Sequence, residues 1–341
     1  MSFILTLQQR KKAFLQLGEY LSSGNEHLNQ LIYSAHQYNA WFTPTETLKA
    51  IKAIASILNE PDLSQWLGNL PESNPHPKRV GLVLAGNIPM VGFHDILSVL
   101  ATGHIALIKL SSQDTQLIPH LLNKLAEAEP QFQELIQFTE RLENFDAVIA
   151  TGSNNTSRYF EHYFGKVPHI IRKNRNSVAV LTGEESNADL FHLGQDIFDY
   201  FGLGCRNISK LFVPKGYNFR LFFEAIEPYN KIINHHKYNN NYDYNKSIFL
   251  VNREAHLDNG FVLLKEDERL ASPLAVLYYE EYDHLETVKS KLRNVAENIQ
   301  CLVCATNLDV NVQQVKFGES QHPKLWDYAD GINTLAFLAG L

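Results

Sequence analysis

The sequence holds little of what an exported or membrane-bound chain requires. Its 341 residues include only three cysteines, Cys205, Cys301 and Cys304, an odd count and poor material for a disulfide framework. No apolar run approaches the ~20 residues that span a bilayer. The N-terminal "MSFILTLQQRKK" sets a short apolar patch before its charge, the reverse of a secretory signal. A formal net charge of -7, with no long basic run interleaved with aromatics, excludes a general attraction to nucleic acid or anionic membrane. These absences predict a cytoplasmic protein with no nucleic-acid partner and no membrane span. "CLVC" has no second CxxC or HxxxH to complete the four ligands of a zinc site, so both of its cysteines read as core residues of a strand in "IQCLVCATN". The G-x-G-x-x-G fingerprint is missing too, which removes the standard dinucleotide signature without excluding the ligand.

What is present is material for large cores: 45% hydrophobic residues, with 20 Phe and 15 Tyr, suffice for one large or two ordinary domains. Residues 1 to about 70 read as helices, "TPTETLKAIKAIASIL" opening on Thr43 as N-cap and Pro44 at the first helical position. After the loop "PESNPHPK" the pattern alternates. "RVGLVLAG", "HIALIKL", "DAVIATG" and "HIIRK" read as strands, with helices in "MVGFHDILSVLATG", "TQLIPHLLNKLAEAE" and "NNTSRYFEHYFG". A second series begins near residue 175, with "NSVAVLTG" and "ISKLFVP" as strands around the helix "DLFHLGQDIFDYF". Alternation of this kind predicts an α/β fold in two lobes, each a mostly parallel sheet with flanking helices. "INHHKYNNNYDYNKS", low in aliphatics, reads as a surface excursion.

Three strand ends in the first series are ligand-competent, because open parallel sheets bind ligands outside the carboxyl ends of their strands. "LAGNIPM" places Gly86 and Asn87 at such an end, "IALIKLSSQD" places Lys109, Ser111 and Ser112, and "ATGSNNTSRYF" places Gly152 and Ser153 before a helix whose N-terminal N–H groups suit a pyrophosphate. Taken singly, the first is also an ordinary turn and Lys109 a solvated lysine. In "DYFGLGCRNISKLFVP" a cysteine, usually a buried small hydrophobe, sits instead between glycines. Gly202 and Gly204 leave room for close approach, and Arg206 and Asn207 add polarity without a carboxylate that would raise the thiol's pKa. Cys205 is thus a candidate nucleophile, with no histidine base beside it in sequence. His94 and His322 read as structural, hydrogen-bonded residues.

The order of these features resembles the aldehyde dehydrogenase superfamily, and within it the bacterial fatty acyl-CoA reductases of luminescence systems. The resemblance rests on "VGLVLAGNIPMVGFHDILSVLATGHIALIKLSSQD", "AVIATGS", "YFGLGCRNISKLFVP", "ERLASPLAVLYY" and "VKFGESQHPKLWDYADGINTLAFL". It implies a cofactor domain over 1–174, a catalytic domain over 175–312 and a segment, 313–341, returning toward the cofactor domain. Cys205 would be the nucleophile, with Asn87 and the Cys205 backbone N–H as oxyanion donors. Lys109 would hold the adenosine ribose or its phosphate, and Gly152 and Ser153 would cover the pyrophosphate.

Three departures shape the expected reaction. Where the family's hydrolytic members carry a water-activating glutamate, this chain has "IIRKNRNSVAV", with no acid, which favours an acyl-cysteine resolved by coenzyme A or by hydride. Ser112 replaces the acid that would repel a 2'-phosphate, leaning toward NADPH over NADH. Glu268 stands one place away from the glutamate that holds the nicotinamide ribose. The expectation is NADPH-dependent reduction of a long-chain acyl-CoA or acyl thioester to the aldehyde, with CoA released. An acyl-transfer or acyl-activating protein as partner and a homodimer are implied alongside. An acyl-phosphate reductase, supported by "RKNRN" and Arg206, an aldehyde oxidiser, and a non-catalytic protein binding an acyl partner are the alternatives.

Overall fold

The computed structural model describes residues 5–152 and 154–341, without the side chains of 154 and 155. The chain divides into two compact units, Met1–Asn174 with Lys324–Leu341, and Arg175–Pro323.

The first unit opens with four helices, α1 (Leu7–Ser22), α2 (Glu26–Ser34), α3 (Pro44–Ile57) and α4 (Glu60–Leu67). Thr43 caps α3 as its sequence predicts, its side chain accepting from Glu46 N, with Pro44 where a missing N–H costs nothing. β1 (Arg79–Val83), α5 (Phe93–Ala101), β2 (Ile105–Lys109), α6 (Leu117–Ala128), α7 (Phe132–Leu135), β3 (Ile136–Phe138), β4 (Ala147–Thr151), α8 (Asn154–Phe164) and β5 (His169–Arg172) follow. All neighbouring strands are parallel, in the order β3-β2-β1-β4-β5. The chain moves outward from β1 to β3 and then crosses to the other side of β1 for β4. That reversal, between β1 and β4, is the topological switch point at which such sheets open a ligand crevice. The register brings the strand ends level: Val83 pairs with Lys109 in β2, and with Ala150 in β4. A C-terminal helix (Thr334–Ala339) returns to this unit against α5, whose residues are buried almost all round.

The second unit is built from β6 (Asn176–Val180), α9 (Asn187–Phe198), β7 (Ile208–Pro214), α10 (Phe219–Ile226), α11 (His236–Asn252), β8 (Leu257–Asp258), β9 (Leu263–Glu266), β10 (Val276–Tyr282), α12 (Leu285–Asn294), β11 (Ile299–Val303) and β12 (Gln314–Val315). Its sheet runs β12-β11-β6-β7-β10-β9-β8, parallel except for β8 against β9. Alternate residues along its strands feed two cores. Ala179, Leu181, Leu211 and Val213 pack on α9 and α10, whereas Val178, Val180 and Phe212 pack on α12. Helices therefore cover both faces of this sheet.

Two sequence readings differ from the structure. "INHHKYNNNYDYNKS" is not an excursion: most of it is α11, whose buried residues Tyr238, Tyr242, Asn245 and Phe249 recur at helical spacing. Tyrosine supplies the apolar face that an aliphatic residue would normally mark, its hydroxyl finding a partner when buried; Tyr238 donates to Phe261 O at 3.0 Å. The return toward the first unit begins at Lys324 and not at residue 313, because Gln314 and Val315 pair with β11 and the Asp196 carboxylate accepts from Gly318 N (2.7 Å) and Ser320 N (2.9 Å).

Candidate active site

In the first unit the loop after β1 is clamped at both ends. Asn39 Nδ2 donates to Gly86 O at 3.2 Å, and Met90 N donates to Asp114 Oδ2 at 2.7 Å. Met90 holds the left-handed backbone (φ 57°), a conformation a long side chain adopts only under constraint. Gly86 is required by close approach: a Cβ there would overlap Ser111 Oγ and stand 2.7 Å from Ser111 Cβ. Asn87, half-buried, is thereby held on a fixed loop at the switch point. Burial pushes the Asp114 carboxyl up to about 6, against the pull of the Met90, Leu117 and Ile118 N–H groups.

The other predicted strand ends sit beside this loop. Lys109, exposed, donates from Nζ to Glu140 O at 2.7 Å, and Ser111 Oγ accepts from Gln113 N at 3.2 Å. Ser112 is exposed. At the end of β4, a Cβ on Gly152 would stand 2.9 Å from Phe160 Cε2 and 3.0 Å from Thr156 Cβ, so glycine lets α8 begin hard against the strand. Ser153 lies outside the described residues. Small residues, a cation and a helix start at a switch point, with no acid at 112, fit the phosphates and ribose of a dinucleotide.

In the second unit Cys205 is exposed, while Cys301 and Cys304 are buried. The turn before it is strained: Tyr200 (φ 53°), Phe201 (φ 59°) and Gly202 (φ 76°) are consecutive left-handed residues. Such geometry costs of order 1–3 kcal/mol per non-glycine residue and persists only where the surroundings over-determine it. Asn207, buried, is the chief restraint. Its Oδ1 accepts from Gly204 N (2.8 Å) and its Nδ2 donates to the carbonyls of Asp199 (2.8 Å), Asp196 (3.2 Å) and Ile197 (3.4 Å), joining the end of α9 to both sides of the turn. Phe201 packs against the His235 ring, tilted to it, at 4.3 Å between ring centres.

A second restraint reaches Cys205 from below. Ser177 Oγ donates to Cys205 O at 2.8 Å, accepts from Cys301 N at 3.2 Å, and lies 3.1 Å from Cys301 Sγ. A hydroxyl has one proton and two lone pairs, so with its proton on the Cys205 carbonyl the Cys301 S–H is the donor to Ser177. Burial, the largest influence on Cys301, pushes its thiol up to about 11 and keeps it protonated for that role. The three cysteines thus divide into one exposed thiol and two core residues, one of which secures the first.

Glu268 lies near the start of the loop between β9 and β10. Its side chain is exposed and its carbonyl accepts from Lys210 Nζ at 2.8 Å. Arg269 turns away into a two-point pair with Asp267 and lies over the Tyr278 ring. Of the basic residues near the sequence motifs, Arg172 is committed to Asp95 in the first unit (2.6 Å), Arg175 donates to Ile299 O, and Arg206 to Gln313 Oε1. His94 is a structural residue, its Nε2 at 2.9 Å from Leu325 O and its ring between Trp66 and Tyr328; His322 is exposed. Among the described residues no group of His, Cys, Asp and Glu is arranged to hold a metal ion, and no helix is long and apolar enough to cross a membrane.

No protein-family model matches the sequence, and neither does any curated protein. Solved structures do match. The NAD-dependent aldehyde dehydrogenase of Sinorhizobium meliloti superposes with a TM-score of 0.68 at 11% identity, over 91% of this chain and 74% of that one. The fold is that of the aldehyde dehydrogenases. An NAD-dependent benzaldehyde dehydrogenase from Corynebacterium glutamicum gives 0.67 at 12% identity, over 91% and 81% of the two chains. Aldehyde dehydrogenase 21 from Physcomitrella patens, solved with the reaction product succinate, gives 0.66 at 13% identity, over 98% and 84%. At such identities the likeness is one of fold, and the chemistry of this chain has to be argued from its own residues.

Proposed function

We propose that this aldehyde-dehydrogenase-fold protein reduces a long-chain acyl thioester, acyl-CoA in the first instance, to the aldehyde with NADPH, through an acyl-cysteine on Cys205. The observation that carries the reading is the exposed Cys205 on a strained turn clamped by Asn207 and Ser177, in a fold whose water-activating acid has no counterpart in residues 170–180. The Cys205 thiolate attacks the acyl carbonyl. The carbon–sulfur bond to CoA breaks, CoA leaves as its thiolate and takes a proton from water, and the acyl group stays on Sγ. The backbone N–H of Cys205 would serve the oxyanion, and the Asn87 side chain is the second donor that the family resemblance implies. With no acid to activate water, the acyl-cysteine is spared hydrolysis and waits for reduction.

Lys109, Ser111 and Gly152 would hold the dinucleotide, with Ser153 beside them in sequence, and exposed Ser112 leaves room for a 2'-phosphate. Glu268 would meet the nicotinamide ribose. The chemistry a bound NADPH supplies is hydride for the carbonyl of acyl-Cys205, ending in the aldehyde and a regenerated thiolate. An acyl-activating or acyl-transferring protein would supply the substrate, and the working form would be a homodimer.

Aldehyde oxidation is the second reading, favoured by the neighbours, which are named aldehyde dehydrogenases. An acyl-phosphate substrate is less well supported, since Arg172 is committed to Asp95 and Arg206 to Gln313. Ultraviolet-monitored NADPH oxidation with a series of acyl-CoA thioesters, run beside NADP-dependent oxidation of the matching aldehydes in water, separates the readings. Thioester-dependent turnover lost in Cys205→Ala supports the first. Carboxylate formed from aldehyde without CoA, and no turnover of thioesters, supports the second.

A further inference from the structure

We infer that Lys210 is a positioning residue: from inside the sheet it fixes the loop 267–275 that carries Glu268, and so governs how a nicotinamide cofactor is held, a consequence that rests on the function proposed above. Lys210 lies on β7, five residues after Cys205, and its side chain is wholly buried. Its ammonium donates to Glu268 O at 2.8 Å and to Glu280 Oε2 at 2.6 Å, and stands 4.9 Å from the centre of the Phe212 ring. Both Glu280 oxygens also accept from Lys291 at 2.7 and 2.8 Å, so the charge on the carboxylate is balanced without help from the loop. Burial is the largest influence on Lys210 and lowers its proton affinity; its bond to Glu280 works the other way.

Stability alone is a poor reason for such a lysine. Burying a pair of charges costs desolvation that their attraction barely offsets, and an apolar side chain of similar length would fill the space as well. What an apolar side chain cannot do is donate to a main-chain carbonyl. The Glu268 carbonyl is one of three in this irregular loop that are held by side chains: Ser209 Oγ donates to Leu270 O at 2.7 Å and Asn245 Nδ2 to Leu274 O at 2.9 Å. Ser209 and Lys210 are successive on β7, where its pairing with β6 is irregular, so two adjacent positions of one strand hold the loop. At its far end Leu274 reaches the nucleophile turn, its Cδ1 lying 3.6 Å from where a Gly202 Cβ would stand. The strand that follows Cys205 thus also holds the Glu268 loop along its side.

The test compares wild type with Lys210→Met, which keeps length and loses the donor, and Lys210→Arg, which keeps a donor and the charge. Amide hydrogen exchange reads the loop with no cofactor present, and NADPH titration by fluorescence reads the consequence. In Lys210→Met, exchange over 267–275 accelerates about tenfold while β6 and β11 stay protected, and NADPH affinity falls about tenfold with the alkylation rate of Cys205 unchanged. Lys210→Arg recovers part of both. Where Lys210→Met does not fold, Glu280→Gln gives the same changes at smaller size. Unaltered exchange in the loop overturns the positioning role. Faster exchange with NADPH affinity within about twofold of wild type overturns its consequence for the cofactor. A wild type that binds no NADPH overturns the proposed function and that consequence with it, while the exchange result still decides the positioning role.

Discussion

The two units prepare their candidate chemistry at opposite ends of their strands. In the first, Asn87, Lys109 and Gly152 stand at or just beyond the carboxyl ends of β1, β2 and β4, on loops shaped by close approach at Gly86 and Gly152. In the second, Cys205 stands before the amino end of β7, on a turn with successive left-handed residues. A sheet's carboxyl ends, with helix starts beside them, suit a bound anion, and the first unit's loop carries a single left-handed non-glycine residue, Met90, where the nucleophile turn carries two in succession. A nucleophile must present one atom at one angle, and here that is done by backbone strain restrained by Asn207 and Ser177. The comparison teaches that the first site is a shape and the second a tension. Substitutions should separate them accordingly.

The largest effect is expected from Cys205→Ala, which removes acyl-enzyme formation and lowers turnover by at least about 10³-fold while NADPH affinity stays put. Retained turnover would sink the covalent route. Asn207→Ala should come next. It leaves the Gly204 N–H and the Asp199 carbonyl without their partner and lets the strained turn relax. A loss of about 2–4 kcal/mol in denaturant unfolding and about 10²-fold in turnover is expected, with cofactor binding little changed.

Gly86→Ala attacks the first unit instead. The added methyl runs into Ser111, so stability and NADPH affinity should both fall, the latter about tenfold, with Cys205 alkylation unaffected, and a second change, Ser111→Gly, should restore the stability. Failure of the second change to rescue would remove close packing as the cause.

The last effect is on stability alone, with turnover untouched, and concerns pH. Asp114 and Asp196, one in each unit, have carboxyls raised from 3.8 to about 6, burial being the main cause in both. The folded chain therefore binds more protons than the unfolded chain between about pH 4 and 6. Stability falls as pH rises through that window and stays at the lower level above it, by at most about 3 kcal/mol per group. Unfolding of Asp114→Asn across that window should show a flatter profile than wild type. An unchanged slope would mean that Asp114 ionises as it does in the unfolded chain.

Much of this was legible in the sequence because it is local. Alternating apolar runs marked the strands, Thr43 and Pro44 marked a helix start, and glycines around an isolated cysteine marked a turn built for access. What was not legible depends on distant partners. Asn207 read as general polarity, yet its contacts reach back across the turn to the end of α9. Cys301 read as a core residue, which it is, but its tie to the nucleophile runs through Ser177, 124 positions earlier. Lys210 carried no signal at all, because "ISKLFVP" gives no hint that its lysine faces inward toward a loop some 58 residues on. Helix α11 was missed because tyrosine and asparagine occupy the face that aliphatic residues usually mark.

The central claim is that Cys205 takes up an acyl group from a thioester and holds it against water. The most direct measurement is intact-protein and peptide mass spectrometry after mixing the protein with a long-chain acyl-CoA in the absence of NADPH, followed by NADPH addition. The account predicts a stable acyl adduct on the peptide containing Cys205, discharged as aldehyde only when NADPH is added. No adduct, or an adduct that hydrolyses to the free acid without cofactor, would contradict it.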